Sequence, residues 1–411
     1  MAGIVIKPRA RILHGHDWVF SSEVLKVFGK PPDGAVISLK DGRDHLIGSA
    51  IYNSKSQIVA RRFSRRKQDL DVDFFTRRIA QAAEYRLRRG IDPDLCRVVW
   101  SESDGLPGLI LDRYNDFFVL QTLTLAMDTR KESIAKVIVD LFDAKNVIER
   151  NDTPIRRSEG LDPCTGVLEG AAPPGPIIIE IKGTPIQPIR LRSGQDFRSG
   201  QATFLQLEVD LLAGQKTGLY LDQLPNYSAI AEHAKDRRVL DCFANQGAFA
   251  LSCARAGAPE VTAVEASAAN IVAAKRNAER NKLSAAWIEG DVFQFLRAAE
   301  KSRAQYDLII LDPPSFAKTR GGLRDALRGY RELHVRAFNL LSKDGLLATF
   351  SCSHHVNEAA FAQVIGDALV DARRSARKIR RFEQSPDHPV LPTIPETEYF
   401  KGLLLEMMPG R

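Results

Sequence analysis

Cysteine is scarce in this sequence, which has five cysteines among 411 residues and no Cys-x-x-Cys spacing. Such a set does not provide the framework of a disulfide-stapled domain or of a structural zinc site. No apolar run approaches the ~18–20 residues that a membrane-spanning helix needs, which excludes that class of protein. The first residues also lack the unbroken apolar stretch of a secretory signal peptide. We therefore expect a cytoplasmic protein without a membrane or a metal ion as partner.

The composition is that of a globular protein, with 44% hydrophobic and 27% charged residues, and it excludes disorder and collagen-like repeats. At roughly 100–200 residues per domain, the length predicts two to four domains. The net charge of +7 is concentrated in residues 1–70, which contain 13 Lys and Arg but only six Asp and Glu, whereas the remainder contains 45 of each. A basic segment joined to a neutral body favours nucleic acid as a partner about as strongly as it favours a solvated surface.

Three segments follow one another along the chain. Residues 1–70 contain short strand-like runs separated by turn signals. Residues 71–190 begin with an amphipathic helix and continue as an α+β module. In residues 191–411, near-continuous apolar runs alternate with helices, which is typical of a parallel sheet covered on both faces. The expected fold class is therefore α/β in a multi-domain chain, with a doubly wound sheet at the C-terminal end.

Four successive strands of the third segment end in or next to an acid, namely Asp241, Glu265, Asp291 and Asp312. Ligands of such sheets lie outside the carboxyl ends of the strands. The loop that starts at Asp241 has a single glycine, Gly247, so it is not a GxGxxG phosphate loop. Glu265 is placed to accept hydrogen bonds from ribose hydroxyls, and Asp291 to face an adenine amino group. Each acid alone is more often a helix N-cap, but together they favour an adenosine-bearing cofactor.

Two further features carry chemistry at the same edge. After Asp312, the consecutive Pro313 and Pro314 stiffen the chain, and a rigid carboxylate can hold the polar edge of a planar base. Cys352 ends the last strong strand, where a nearby cation would lower the pKa of its thiol and make it nucleophilic. The alternative for Cys352 is a small core residue, which we expect for Cys96, Cys164, Cys242 and Cys253.

These residues resemble the class I S-adenosylmethionine-dependent methyltransferases and, more narrowly, the RlmI-type large-subunit rRNA (cytosine-5) methyltransferases. The resemblance extends over nearly the whole chain, and several motifs occur in the family order. They lie at residues 18–21, 52–58, 102–109, 149–152, 217–223, 387–390 and 398–402. The resemblance implies a PUA domain, an RNA-binding β-barrel, in residues 1–70 and a Rossmann-like methyltransferase domain in residues 191–411.

The resemblance also implies roles for individual residues. Cys352 would be the nucleophile that attacks C6 of a pyrimidine, and Asp312 would belong to the catalytic motif. S-adenosylmethionine would be held by Asp241, Phe243, Asn245, Gly247, Glu265, Asp291, Asp312, Tyr220 and Asp222. The RNA would contact Pro313, Pro314, Phe316, Arg61, Arg62 and Arg65.

Several alternatives stay open on the sequence. The motif after Asp312 lacks the second cysteine of the commoner RNA cytosine-5 enzymes, so the proton-removing base is unassigned and uracil is an alternative target. Asp-Pro-Pro motifs also serve enzymes that methylate an exocyclic amino group of adenine or guanine without a cysteine. A non-catalytic RNA-binding protein is a third reading, and a homodimer is one option for the assembly. A second basic cluster at residues 373–381 fits either an RNA contact or a solvated helix face.

Overall fold

The computed structural model describes residues 2–182, 204–214, 216–316 and 320–409. They form two compact units, and neither unit is a single continuous segment of the chain. The first unit comprises Met1–Ile177, Val209–Asp222 and Ser385–Thr397, and the second comprises Ile178–Glu208, Gln223–Gln384 and Glu398–Arg411. The predicted division into three segments stays a prediction, and its boundary at residue 190 lies outside the described residues.

The first eleven strands and the first three helices belong to the first unit, whereas the next two strands lie almost entirely in the second unit. The strands are β1 (Gly3–Ile6), β2 (Trp18–Phe20), β3 (Val24–Phe28), β4 (Val36–Lys40), β5 (Leu46–Tyr52), β6 (Ile58–Ser64), β7 (Leu95–Trp100), β8 (Leu109–Tyr114), β9 (Phe117–Thr122), β10 (Asn146–Asn151), β11 (Cys164–Glu169), β12 (Ile177–Lys182) and β13 (Phe204–Val209). The helices are α1 (Val72–Arg88), α2 (Leu125–Asp128) and α3 (Lys131–Phe142).

The second unit alternates helices with strands. The helices are α4 (Leu224–Ala231), α5 (Ala248–Arg255), α6 (Ala268–Asn281), α7 (Val292–Lys301), α8 (Leu323–Leu340) and α9 (Glu358–Asp371). The strands are β14 (Arg238–Cys242), β15 (Glu260–Glu265), β16 (Ala286–Glu289), β17 (Tyr306–Leu311), β18 (Leu341–Ser351), β19 (Ala376–Phe382) and β20 (Lys401–Met407). Among the described residues, none of these helices has the length and hydropathy to cross a membrane.

Two sheets make up most of the first unit. One has the order β2-β6-β5-β4-β1-β3, and the other has the order β11-β10-β9-β8-β7. The turn that contains Asp41 and Gly42 connects β4 to β5, which pair antiparallel with Ile37 opposite Ala50. Ile4, Ile37 and Leu39 are almost fully buried and belong to the hydrophobic core of the first of these sheets.

A buried ionic network joins distant parts of the sequence within this unit. The Arg97 guanidinium donates two hydrogen bonds of 2.8 Å to the Asp112 carboxylate. The backbone N–H of Arg97 donates to Asp387 Oδ2 at 2.8 Å, and Arg86 donates to the Asp387 carbonyl at 2.6 Å. Without residues 385–397, the Arg97 N–H and one end of the Arg86 guanidinium would be buried donors without these partners, which is costly, so this segment completes the core of the first unit.

The sheet of the second unit has the order β16-β15-β14-β17-β18-β20-β19. The pairs among β16, β15, β14, β17 and β18 are parallel, whereas β20 is antiparallel to both of its neighbours. The predicted doubly wound sheet is thus confirmed for its five parallel strands. A solvated helix face was one interpretation of the basic cluster at residues 373–381. Residues 376–382 instead form the edge strand β19, in which five consecutive residues are exposed.

Burial of β17 and β18 on both faces explains their apolar sequence. Leu308, Ile309 and Ile310 are fully buried in consecutive positions, which only a strand with helices on both sides allows. Phe350 of β18 stacks on Phe249 of α5, with ring centroids 5.5 Å apart. These contacts fix the end of β18 relative to the loop between β14 and α5.

His334 connects α8 to β18 inside this core. Its Nδ1 lies 2.6 Å from the Tyr330 carbonyl oxygen, which can only accept, so Nδ1 carries the proton. Its Nε2 then accepts from the Thr349 hydroxyl at 2.8 Å. Burial lowers the pKa of His334 from 6.5 to about 4, although the hydrogen bond to the Tyr330 carbonyl opposes the shift. The neutral tautomer is therefore the folded form at neutral pH.

We expect the His334→Gln variant to lose part of the acid sensitivity of the second unit. Between pH 6.5 and about 4 the unfolded chain binds a proton at His334 that the folded chain does not bind, so this group makes stability fall as the pH drops through that window. The effect corresponds to at most about 3 kcal/mol. Denaturant unfolding at several pH values measures it, with the exposed His355→Gln as control. Equal slopes in the wild type and His334→Gln would contradict the assignment.

Candidate active site

Parallel strand pairing brings the functional side chains to one edge of the sheet. In β14, Asp241 is level with Ala263 of β15 and Ile310 of β17. In turn, Leu311 at the end of β17 is level with Thr349 of β18. The residues that follow these strands, including Asp312 and Cys352, therefore emerge side by side. This edge contains most of the residues that the sequence predicts for the site.

The loop between β14 and α5 has an unusual backbone. Phe243 and Asn245 adopt left-handed conformations with φ values of 63° and 51°, and Gly247 has a φ of 86°. A Cβ atom at Gly247 would lie 2.4 Å from Cη2 of Trp287, so only glycine fits there. Left-handed non-glycine residues cost free energy and concentrate at ligand sites. The loop thus has a backbone conformation that is rare for non-glycine residues, and Gly247 makes room for the Trp287 ring.

Asp241 is the most buried acid of the site. Its Oδ2 accepts from the Ala250 N–H at 3.0 Å, whereas its Oδ1 has no hydrogen-bond partner among the described residues. Burial raises the pKa of Asp241 well above its ordinary value, and the charges of Asp312 and Glu265 raise it further. A buried acceptor without a donor is costly, which indicates that a ligand donates to it.

Glu265 and Asp291 are fixed by backbone donors. Glu265 accepts from the Asn245 N–H at 2.9 Å through Oε2 and from the Ser267 N–H at 2.8 Å through Oε1. Each carboxylate oxygen has a second lone pair, so Glu265 can still accept from a ribose. Asp291 is exposed, and its Oδ1 caps α7 by accepting from the Gln294 N–H at 2.9 Å. Its predicted contact with adenine stays a prediction.

The carboxylate set suits a cationic ligand with hydroxyl and amino donors. Asp241, Glu265 and Asp312 lie close enough for their charges to interact, and they follow three neighbouring strands. S-adenosylmethionine has a sulfonium, an amino group and two ribose hydroxyls, and the vacant acceptor Oδ1 of Asp241 fits such a donor. Among the residues that the structure describes, no group of three or more His, Cys, Asp or Glu side chains is arranged to hold a metal ion.

Asp312 is oriented by Gln223, the last residue of the 217–223 motif, for which the sequence predicted no role in the site. Gln223 Nε2 donates to Asp312 Oδ2 at 2.9 Å, and Gln223 Oε1 accepts from Asn226 Nδ2 at 2.8 Å. Pro313 is buried whereas Pro314 is exposed, so the motif is anchored on one side and accessible on the other. Phe316 packs on Tyr330 with ring centroids 4.9 Å apart.

Cys352 lies next to this motif and outside the packed core. Cys352 is half-buried, and hydrogen bonds hold Ser351 and Ser353 on either side of it. Tyr330 Oη donates to Ser351 Oγ at 2.9 Å, and the hydroxyls of Ser353 and Ser315 are 2.8 Å apart. The second bond joins the Cys352 loop directly to the loop of Asp312. Burial raises the pKa of Tyr330 to about 12, with a further contribution from the charges of Cys352 and Asp312.

The other cysteines have different surroundings. Cys96, Cys242 and Cys253 are buried, and burial raises the pKa of each thiol, which keeps it protonated and unreactive. Cys164 differs from the core residue expected of it, because it is half-buried and donates to Glu149 Oε2 at 3.3 Å. That carboxylate helps to raise the pKa of the Cys164 thiol after burial, so Cys352 is the cysteine best placed for chemistry.

The remaining predicted residues lie in the first unit. Arg61 donates to Glu102 at 2.9 Å, and Arg62 pairs with Asp17 at 2.7 Å, whereas Arg65 is exposed. The internal ion pairs favour a structural role for the first two arginines. Their predicted RNA contacts stay predictions.

Tyr220 and Asp222 also belong to the first unit. Lys216 pairs with Asp222 at 2.9 Å, and its ammonium lies 4.4 Å from the centre of the Tyr220 ring. Their predicted contacts with S-adenosylmethionine therefore stay predictions as well.

Comparison with known proteins places this geometry in a family. Residues 197–405 match the S-adenosylmethionine-dependent methyltransferase model, and residues 4–65 match a PUA-like domain. The chain is 35% identical to ribosomal RNA large subunit methyltransferase I of Vibrio vulnificus over 413 residues, covering 98% of both chains. It is also 35% identical to the protein of that name from Tolumonas auensis, covering 96% of both. The chain belongs to the ribosomal RNA large subunit methyltransferase I family.

A solved structure has the same fold. SMU.776, crystallised with SAH, aligns with a TM-score of 0.81 at 19% identity, covering 99% of this chain and all of that one. A second solved chain, from Streptococcus mutans, aligns with a TM-score of 0.79 at 19% identity over 99% of this chain. The family relationship and the matching domain models show that the present chain is an S-adenosylmethionine-dependent methyltransferase. It has an α/β fold and a PUA-like N-terminal domain. The predicted fold class, enzyme class and cofactor are confirmed.

We expect the Gly247→Ala variant to bind S-adenosylmethionine about tenfold more weakly or worse, because the added methyl group collides with Trp287 and the left-handed backbone becomes strained. Isothermal titration calorimetry with the cofactor measures the loss. The matched control is Gly366→Ala, since nothing lies within 4 Å of a Cβ at that position of α9. Unchanged affinity in a folded Gly247→Ala protein would remove this loop from the cofactor site.

Proposed function

We propose that this enzyme methylates C5 of a cytosine in large-subunit rRNA through a covalent bond between Cys352 and C6 of the base. The observation that carries the proposal is the hydrogen bond of 2.8 Å between Ser315 and Ser353, which joins the Asp312 motif to the Cys352 loop. The family relationship supports the substrate, because the relatives that cover the whole chain are named for ribosomal RNA. With rRNA as the substrate, we infer that the enzyme acts in the cytoplasm.

The cysteine is needed because C5 of cytosine is a weak nucleophile. Addition of the Cys352 thiolate to C6 forms a C–S bond and moves the electron pair of the C5–C6 double bond towards C5. S-adenosylmethionine, when bound, supplies an electrophilic methyl group to a carbon activated in this way. A base then removes the C5 proton, the double bond forms again, and the C–S bond breaks. Cys352 is half-buried, so a nucleobase that arrives from solution can approach its sulfur.

Asp312 and Pro314 hold the base during this addition. Negative charge develops on N3 and the amino-bearing edge of cytosine as the sulfur adds, so a donor or a protonated carboxyl there stabilises it. Gln223 donates to one oxygen of Asp312, so the carboxyl group is already oriented when the base binds. The exposed ring of Pro314 offers an apolar surface for the nucleobase. We assign Pro313 to the packing that holds this loop in place.

Replacement of Cys352 by alanine separates this mechanism from its main alternative. We expect Cys352→Ala to lower the methylation rate by about a thousandfold or more while cofactor affinity stays unchanged. Transfer of labelled methyl groups to rRNA, followed by mass spectrometry of the nucleosides, measures the rate and identifies 5-methylcytosine. The matched control is Cys164→Ala, which also removes a half-buried thiol.

RNA containing 5-fluorocytosine gives an independent measurement. A base can remove a proton from C5, but it cannot remove fluorine as a cation, so the C–S bond cannot break in the last step. The wild type should therefore form a covalent complex that survives denaturation, and Cys352→Ala should form none. A Cys352→Ala enzyme with full activity and no trapped complex would instead identify an exocyclic amino methyltransferase. Absence of cofactor binding in the wild type would favour a non-catalytic RNA-binding protein.

The basic N-terminal segment supplies the affinity for RNA in this proposal. We expect Arg65→Ala to weaken rRNA binding and to reduce the slope of its salt dependence by about one, because the exposed guanidinium contacts a phosphate. Arg61→Ala should mainly lower the thermal stability, since it breaks the ion pair with Glu102. Filter binding at several salt concentrations and thermal unfolding distinguish the two. Equal RNA affinity of Arg65→Ala and wild type would exclude Arg65 from the RNA surface.

A further inference from the structure

Strand β20 places a lysine beside the end of β18. In the antiparallel register, Phe350 is opposite Gly402 and Ser351 is opposite Lys401. A Cβ at Gly402 would lie 2.4 Å from Cδ1 of Phe350, so glycine is what allows β20 to pack closely at this point. Lys401 is therefore held opposite the residue that immediately precedes Cys352.

The Lys401 ammonium binds the backbone of the Cys352 loop. Its Nζ donates to the Ser353 carbonyl at 2.7 Å and also to the Val356 carbonyl. Ser353 and Val356 are both fully buried, so these two bonds link the β20 strand to an anchored turn. A charged donor makes each bond stronger than a neutral amide would. The loop that follows the sulfur is thus fixed by one side chain.

The electrostatic surroundings of Lys401 include Cys352 itself. Burial lowers the pKa of Lys401 to about 8, whereas negative charge on Cys352, Glu398 and Glu358 favours its charged form. The two glutamates have a cation of their own, because Arg381 of β19 pairs with Glu358 at 3.0 Å and with Glu398 at 3.8 Å. Of these three groups, Cys352 has the largest effect on Lys401.

We propose that Lys401 is a positioning residue for methyl transfer, which fixes the Cys352 loop and stabilises the Cys352 thiolate with its ammonium charge. This inference rests on the proposed function, in which Cys352 is the nucleophile. The thiol proton passes to solvent, and Lys401 keeps its own protons and its two carbonyl bonds. The sequence shows no such relationship, since Lys401 reaches the site only through the pairing of β20 with β18.

Alkylation of Cys352 by iodoacetamide tests the proposal in the wild-type enzyme. The rate at each pH is read by mass spectrometry of the Cys352 peptide, which separates it from the other four cysteines. We expect half-maximal alkylation at a lower pH than in a free peptide of residues 346–358, with about tenfold more thiolate at neutral pH. The proposal would be overturned by the wild type alone if the pH of half-maximal alkylation in the folded enzyme were equal to that of the free peptide or higher.

Variants of Lys401 separate charge from shape. Lys401→Met removes the charge and should reduce alkylation of Cys352 at neutral pH about tenfold, with kcat lowered and the KM for rRNA and the cofactor affinity unchanged. Lys401→Arg keeps the charge and should recover most of both rates. Lys378→Met on the neighbouring strand β19 is the matched control, because that lysine is exposed. Wild-type alkylation in a folded Lys401→Met protein would overturn the proposal.

Failure of this inference and failure of the proposed function give different results. An active Cys352→Ala enzyme would reject the covalent mechanism whatever Lys401 does. An inactive Cys352→Ala enzyme together with unchanged thiol reactivity in Lys401→Met would reject only the role of Lys401.

Discussion

Parallel hydrogen bonding of β14, β17 and β18 is the constraint on which the site depends. It sets the ends of three strands level, so that Asp241, Asp312 and Cys352 leave the sheet at one edge although they are far apart in sequence. Each parallel connection requires a helical crossover, and the crossover helices bury both faces of the sheet. The core that results, with Phe249 stacked on Phe350, keeps the cofactor loop and the cysteine loop in a fixed relation.

Charge is unevenly distributed along that edge. The cofactor side carries the carboxylates of Asp241, Glu265 and Asp312, and burial makes Asp241 hard to ionise unless a donor reaches it. The opposite side carries the Lys401 ammonium beside Cys352. In the proposed mechanism, this arrangement attracts a cationic methyl donor to one end and favours a thiolate at the other. The same sheet edge thus serves two reactants of opposite chemical character.

The sequence predicted the five parallel strands because their residues are apolar in consecutive positions, as in β17. It did not predict β19 and β20 as strands, since β19 is polar and exposed on an edge and gives no apolar signal. The acids at the strand ends were predicted from position alone. Gln223 and Lys401 lie in two of the sequence motifs, but their contacts with Asp312 and with the Cys352 loop are tertiary and could not be predicted from local pattern. The ion pairs of Arg61 with Glu102 and of Arg62 with Asp17 could not be predicted for the same reason. A run of basic residues looks the same in sequence whether it faces solvent or an acidic side chain.

The contribution of Asp387 to the first unit has a consequence for biosynthesis. A ribosome makes the chain from its N-terminus, so Arg86 and Arg97 emerge long before the residue whose carbonyl and carboxylate accept their hydrogen bonds. Until residues 385–397 are translated, the segments that contain Arg86 and Arg97 lack part of the packed interior of the first unit. Completion of this early-made part is thereby deferred almost to the end of translation, and a chain released prematurely would leave it open to proteases and chaperones.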